Sequence, residues 1–310
     1  MRLRPWLVLG LATALISLQA VQPARFTLAI VRLDGRLVPF AAYDGRRWER
    51  PWPEADEAFK GAPTIDEVPN IWRTRGEPAP RVWRVTPVSG APLREARVTG
   101  ADVVDAHCLK QVALTTNLPA TEPVKDEHGT KFGVAVDSDL PIGAVQAISR
   151  SDAAWSTAER VVVANFDALE AARALAAREQ VVRESPTPLP QMTHLYSENK
   201  APRSPMYFIA EKKYKTARAP QTAECGAATI VTGWLMVDGA GTVLLREADV
   251  FLTDCDAKAV RRGLPLGAFR VATQLFWVLQ EHGYEDETYR VAEIGPAGIT
   301  YPITFLGGGC

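Results

Sequence analysis

The sequence predicts a mainly β protein of the α+β kind, made of antiparallel meanders and hairpins with one long amphipathic helix in the middle of the chain. Three observations carry that expectation. Two Asp-Gly pairs, Asp34-Gly35 and Asp44-Gly45, separate short apolar runs near the start. Such pairs favour hairpin turns, because both turn positions need positive φ. Aromatic and β-branched residues dominate much of the last hundred positions, as they do in strands. Only between 151 and 180 do apolar residues recur at three- and four-residue steps, the spacing of a helix face.

Composition fits a folded chain of one large or two small domains, with 310 residues, 47% hydrophobic and 23% charged. Lys+Arg 35 against Asp+Glu 36 gives a net charge of −1. That leaves no overall positive field to hold a phosphate backbone, so no nucleic-acid partner is expected.

Residues 1–22 have the layout of an export signal. Arg2 and Arg4 precede the apolar run Trp6–Leu18, and the small residues Ala20 and Ala24 flank Pro23. A retained N-terminal anchor is the competing reading, since Leu18 is bulky for a position just before cleavage. The run is shorter than the roughly 20 residues that span a bilayer, and no later run is long enough. No membrane span is expected after signal removal, and the expected location is secreted or periplasmic.

Residues 23–150 form the N-terminal β-rich region. Phe26–Leu33 and Arg36–Tyr43 are strands of a meander ending near Trp48, and Pro39 inside the second predicts an edge or a bulge. Prolines crowd 49–80, a long loop carrying Trp52 and Trp72. Strand patterns resume at 81–86, 93–98, 107–114, 132–136 and 144–148. The helix is expected within 151–182, with Trp155, Ala158, Val162, Phe166, Leu169, Ala172 and Leu175 on one stripe and Ser151 or Ser156 as its cap. Residues 183–205 are proline-rich at both ends and are expected as a linker. Residues 206–310 are the C-terminal antiparallel region. There 227–237 and 242–253 make a hairpin about Asp238-Gly239-Ala240-Gly241, and 264–279 are strands, with Phe276–Leu279 pairing back from Tyr289–Ile294.

The patterns Gly-x-Ser-x-Gly, His-Glu-x-x-His, Cys-x-x-Cys and the glycine-rich phosphate loops do not occur, and no cofactor is expected. Four cysteines remain, Cys108, Cys225, Cys255 and Cys310. An even count outside the cytoplasm points to disulfides, and no two have zinc-knuckle spacing. A three-residue loop at Gly239–Gly241 would put Asp238 opposite Thr242 and, counted back along the hairpin, Cys225 opposite Cys255. That pair would share a face with Val231, Leu235, Val243, Leu245 and Phe251. Cys108 and Cys310 are the left-over pair, disfavoured because Gly307-Gly308-Gly309 suggests a mobile terminus.

His282, Glu285, Asp286 and Glu287 could bind a divalent cation or form an acid–base pair, against the alternative of a solvated hairpin tip. Trp48, Trp52 and Trp72, with Arg46, Arg47 and Arg50 nearby, could form an aromatic ligand platform, or else hold a long loop down. Asp137 with Asp139, and Asp254 with Asp256, fit turns better than calcium sites. His107, His128 and His194 have no spaced partner. Lys212, Lys213 and Lys215 suit the guarding of a sheet edge. The expectation is an exported, disulfide-containing protein with a non-catalytic envelope, binding or structural role. The rival is a secreted hydrolase or metal-dependent enzyme built on the His282 cluster.

Overall fold

The computed structural model describes residues 25–61, 64, 67–68, 72, 81–120, 133–198, 204–218, 225–254, 260–283 and 285–310. The expected export segment, His128, Cys255 and Asp256 lie outside the described residues. Among the described residues antiparallel strands dominate, with one long helix, as the sequence pattern implies.

The first sheet is built from β1 (Phe26–Val31), β2 (Leu37–Tyr43), β3 (Trp48–Glu49), β4 (Val82–Pro87), β5 (Arg94–Ala106), β6 (Leu109–Thr116) and β7 (Gly133–Val136). Its order is β1-β7-β4-β5-β6-β2-β3, and β1 also pairs with β2. Six strands therefore close into a ring, the seam at β2–β6 resting on the single pair Leu37↔Leu114. Closure removes exposed strand edges. Gly35 and Gly45 hold the first two turns with φ of 80° and 98°. Leu28 faces Ala41 while Ala29 faces Pro39, so Phe40 is the extra residue of a bulge, where a proline in a strand is tolerated.

The second sheet orders β12 (Val243–Asp254), β11 (Ala227–Val237), β10 (Met206–Lys213), β9 (Gln191–Ser197) and β8 (Gln146–Ala147). The third is the meander β13 (Arg262–Val271), β14 (Gln274–His282), β15 (Asp286–Gly295) and β16 (Gly298–Gly309). Aromatic contacts stack these sheets. Phe269 lies 5.6 Å from Phe26 of the ring, and Trp277 lies 5.0 Å from Trp234 of the five-stranded sheet. The helix α1 (Ala153–Ala177) covers the far face of that sheet. The molecule is thus four layers deep: ring, meander, five-stranded sheet, helix. Six consecutive residues of β14, Leu275–Gln280, are buried. A strand covered on both faces loses its alternation, so Ala268, Val271, Ala272, Leu275 and Leu279 also fit helical spacing in the sequence.

Four expectations need correction. Asp152, not Ser151 or Ser156, caps α1, its carboxylate accepting the Ala154 N–H at 2.9 Å. The buried face runs Trp155, Ala158, Val162, Phe166, Glu170 and Ala174, while Leu169 is half-buried and Leu175 is 81% exposed. Four-residue steps from Ala158 onward carry the face away from the three-residue steps expected at the end. Within 183–205, Gln191–Ser197 is strand β9, paired on both sides. Met192 and Leu195 face the helix and Tyr196 the other layer, an alternation too short to stand out between prolines.

The fourth correction concerns the β11–β12 hairpin. Its turn forms as expected. The Asp238 carboxylate accepts N–H groups of Ala240 and Thr242 at 2.9 and 2.8 Å, and Gly241 has φ 86°. Leu235 faces Leu245, but Trp234 faces Glu247, so Arg246 is a bulged residue. Beyond it the register slips by one, and a slip of one moves side chains to the opposite face. Val250 takes the place opposite Val231 under the helix, and Phe251 moves beside Ile230 in the other layer. The direct opposition expected for Cys225 and Cys255 is therefore not the register of this hairpin. Cys225 does take part in a disulfide.

Candidate functional site

Two places gather polar chemistry. The first is a buried cluster under the C-terminal half of α1. Glu170 is 1% exposed. Its carboxylate accepts hydrogen bonds from Tyr214 Oη at 2.7 Å, Lys212 Nζ at 3.5 Å, Arg218 Nη2 at 3.4 Å and the Thr229 hydroxyl. Lys212 also bonds Asp167 at 2.9 Å. The Arg218 backbone N–H is held by both oxygens of Asp254 at 2.9 Å, so this acid closes a loop. A buried carboxylate persists only when paired and hydrogen-bonded, and four donors meet that need.

Lys212 was expected to guard an edge. It lies instead on the central strand of its sheet and faces the helix, while Lys213 and Lys215 are exposed. Burial by itself would strip its charge, but hydrogen bonds to Asp167 and Tyr214 and the charge of Glu170 outweigh it and raise its pKa. Burial, then the bond to Glu170, pushes the Tyr214 phenol up to about 12. Neither group is poised to exchange a proton near neutral pH. A cavity of about 500 Å³ opens beside the cluster, lined by Gln180, Val181, Val182, Arg183, Thr216, Ala217 and Arg218. The sequence signal for Glu170 was its position four residues after Phe166, a charge standing on an apolar stripe.

The second place is a clasp between the ring and the meander. Cys108 and Cys310 form a disulfide, with Cα atoms 4.9 Å apart. The β5–β6 turn is the dipeptide His107-Cys108, with His107 at φ 62°. The Cys108 N–H donates to the Gly309 carbonyl and to Cys310 Sγ, both at 3.1 Å, and the Cys310 N–H donates to the Glu285 carbonyl at 2.8 Å. Gly307, Gly308 and Gly309 are buried at the end of β16 rather than mobile. A Cβ on Gly307 would stand 2.6 Å from the Tyr289 ring, and one on Gly308 would stand 2.9 Å from Ala106 Cβ and O. These glycines serve close approach.

The four residues of the expected acid–histidine cluster do not converge. Asp286 is taken by Arg261 at 2.7 Å and by the Gly283 N–H at 3.1 Å. Glu285 is exposed, whereas Glu287 is buried beside Tyr289. Burial, then the Glu287 charge, raises the Tyr289 pKa well above its usual value. Among the described residues no three His, Cys, Asp or Glu side chains are grouped to hold a metal ion. His282 instead meets His107, with ring centroids 5.6 Å apart.

The tryptophans belong to the core and not to an open platform. Trp52 and Trp72 are 2% and 4% exposed and meet edge-on at 5.8 Å. Trp52 Nε1 donates to the Val112 carbonyl at 2.6 Å. Trp48 is half-buried against Phe26, Tyr43 and Phe276. A long proline-rich segment needs apolar anchors to lie on a sheet, and these rings supply them. Arg47 and Arg50 pair with Asp44 and Glu54. Asp137 accepts the Thr27 N–H at 2.6 Å, Asp139 pairs with Arg84, and His194 stacks on Tyr196. Comparison with family models, with curated proteins and with solved structures finds no match.

Proposed function

We propose that this chain is exported and acts outside the cytoplasm as a non-catalytic, disulfide-stapled β scaffold with a binding or structural role. The Cys108–Cys310 bond carries the proposal. It joins two sheets across a sequence separation of 202 residues, Cys225 is oxidised too, and no described cysteine is free. Cytosolic thiols are normally kept reduced, so paired sulfurs and a leading Arg-apolar-Ala segment point the same way. The non-catalytic part is supported by what the acids are doing: Glu170 and Asp286 are spent on holding the fold.

Cell fractionation with N-terminal sequencing tests the reading. The expected mature protein is extracytoplasmic, starts between Val21 and Phe26, and yields Cys108–Cys310 and Cys225–Cys255 peptides on non-reducing mapping. A cytoplasmic protein that keeps Met1 and carries free thiols would overturn it.

A further inference from the structure

We infer that His107 and His282 form a two-imidazole site for a divalent transition-metal ion such as Zn²⁺, Cu²⁺ or Ni²⁺, bridging the ring to the meander. The two rings come from elements remote in sequence and stand 5.6 Å apart at an interplanar angle of 53°. An imidazole binds such ions at about 2.0–2.1 Å, which sets each ring centroid about 3.2 Å from the ion; with one nitrogen of each ring turned to the ion, a 5.6 Å separation corresponds to an N–metal–N angle of about 120°. That lies between the trigonal angle and the upper range of distorted tetrahedral sites.

Both rings sit on fixed backbone. His107 occupies a two-residue turn whose next residue is in the disulfide, and it bridges to Gly309. His282 is paired in register with Arg262 on one side and Glu287 on the other. His107 is exposed and His282 half-buried, so an ion can reach them. Beside His282 stand its register partners Arg262 and Glu287, and Asp286 is held by Arg261. Each imidazole needs only one nitrogen for the metal, and the other can keep a bond to the protein. With no third protein ligand grouped there among the described residues, water completes the shell and the site stays open. Soft and borderline ions that prefer nitrogen suit it, whereas Ca²⁺ and Mg²⁺, which take oxygen ligands, do not.

The site spans the same joint as the disulfide, so its ion should brace that joint. The test uses the oxidised full chain, titrated with Zn²⁺ and with Ni²⁺ by calorimetry and by melting. One ion per chain is expected, with a rise in melting temperature that Ca²⁺ does not produce. His107→Gln and His282→Gln should each abolish both effects, while His194→Gln should leave them. Retention of the Cys108–Cys310 bond in each variant establishes that the clasp still forms. Absence of saturable binding, or binding that survives either His variant, overturns the inference.

Discussion

The Glu170 cluster and the Cys108–Cys310 clasp fasten remote parts of the chain by opposite means. Under the helix, a carboxylate is surrounded by Tyr214, Lys212, Arg218 and Thr229, and the bonds hold only as long as every partner keeps its charge and position. At the clasp, glycines let backbones touch and one covalent bond finishes the joint. The first arrangement answers to proton activity and to the loss of any one partner. The second answers to reductant and to volume. A buried charge network is costly to break although it adds little net stability, whereas a long-loop disulfide acts largely on the unfolded chain.

The largest effect should come from the clasp. Cys108→Ser with Cys310→Ser frees a loop of about 200 residues and should cost about 5 kcal/mol by the chain-entropy model. Urea unfolding of oxidised wild type against the variant measures it, and a difference below about 1 kcal/mol would mean that the other strand contacts close the joint unaided. Next is Glu170→Ala, which strands Lys212 and Arg218 in the interior and should destabilise by about 3–5 kcal/mol. If it costs no more than an exposed helix substitution, the cluster is solvated and the contrast between the two joints fails.

Gly308→Ala should cost about 1–3 kcal/mol, the usual penalty of overpacking, since part of what its Cβ meets is backbone. A neutral result in chemical denaturation would show that β16 can lift from the turn. The smallest effect is pH-dependent. Tyr214 ionises near 10 in an unfolded chain and at about 12 in the fold, so the folded state favours the protonated phenol. Its contribution is whole below pH 10 and is lost as pH rises toward 12. Tyr214→Phe should flatten that part of the alkaline stability curve, read by thermal melts between pH 9 and 12. An unchanged slope would assign the alkaline loss to other groups.

Much of the fold was legible because its signals are local. Asp34-Gly35, Asp44-Gly45 and Asp238–Gly241 name their turns, and Trp155, Ala158, Val162 and Phe166 name a helix face. What escaped was set by tertiary context. Arg246 looks like any exposed arginine, yet as a bulge it decides which face Val250 and Phe251 occupy. Glu170 was passed over because the expected stripe turned to Leu169 and Ala172, and its partners, Lys212, Tyr214 and Arg218, come from the sheet side of the helix–sheet contact. His107 had no visible partner because His282 reaches it only after the meander has docked on the ring. The Gly307–Gly309 run was taken for slack, since sequence does not show the Tyr289 ring and Ala106 pressing against it.

The closed ring also sets a timetable for synthesis. Strand β1 is flanked by β2 on one side and β7 on the other. Its first partner follows within a dozen residues, but Gly133–Val136 comes about a hundred residues later, a delay of roughly 5–20 s at ordinary translation rates of about 5–20 residues per second. Through that interval one flank of β1 has no strand to bond, and its apolar side chains have no layer beneath them. The β7 flank of the first hairpin therefore stays open until the seventh strand is made.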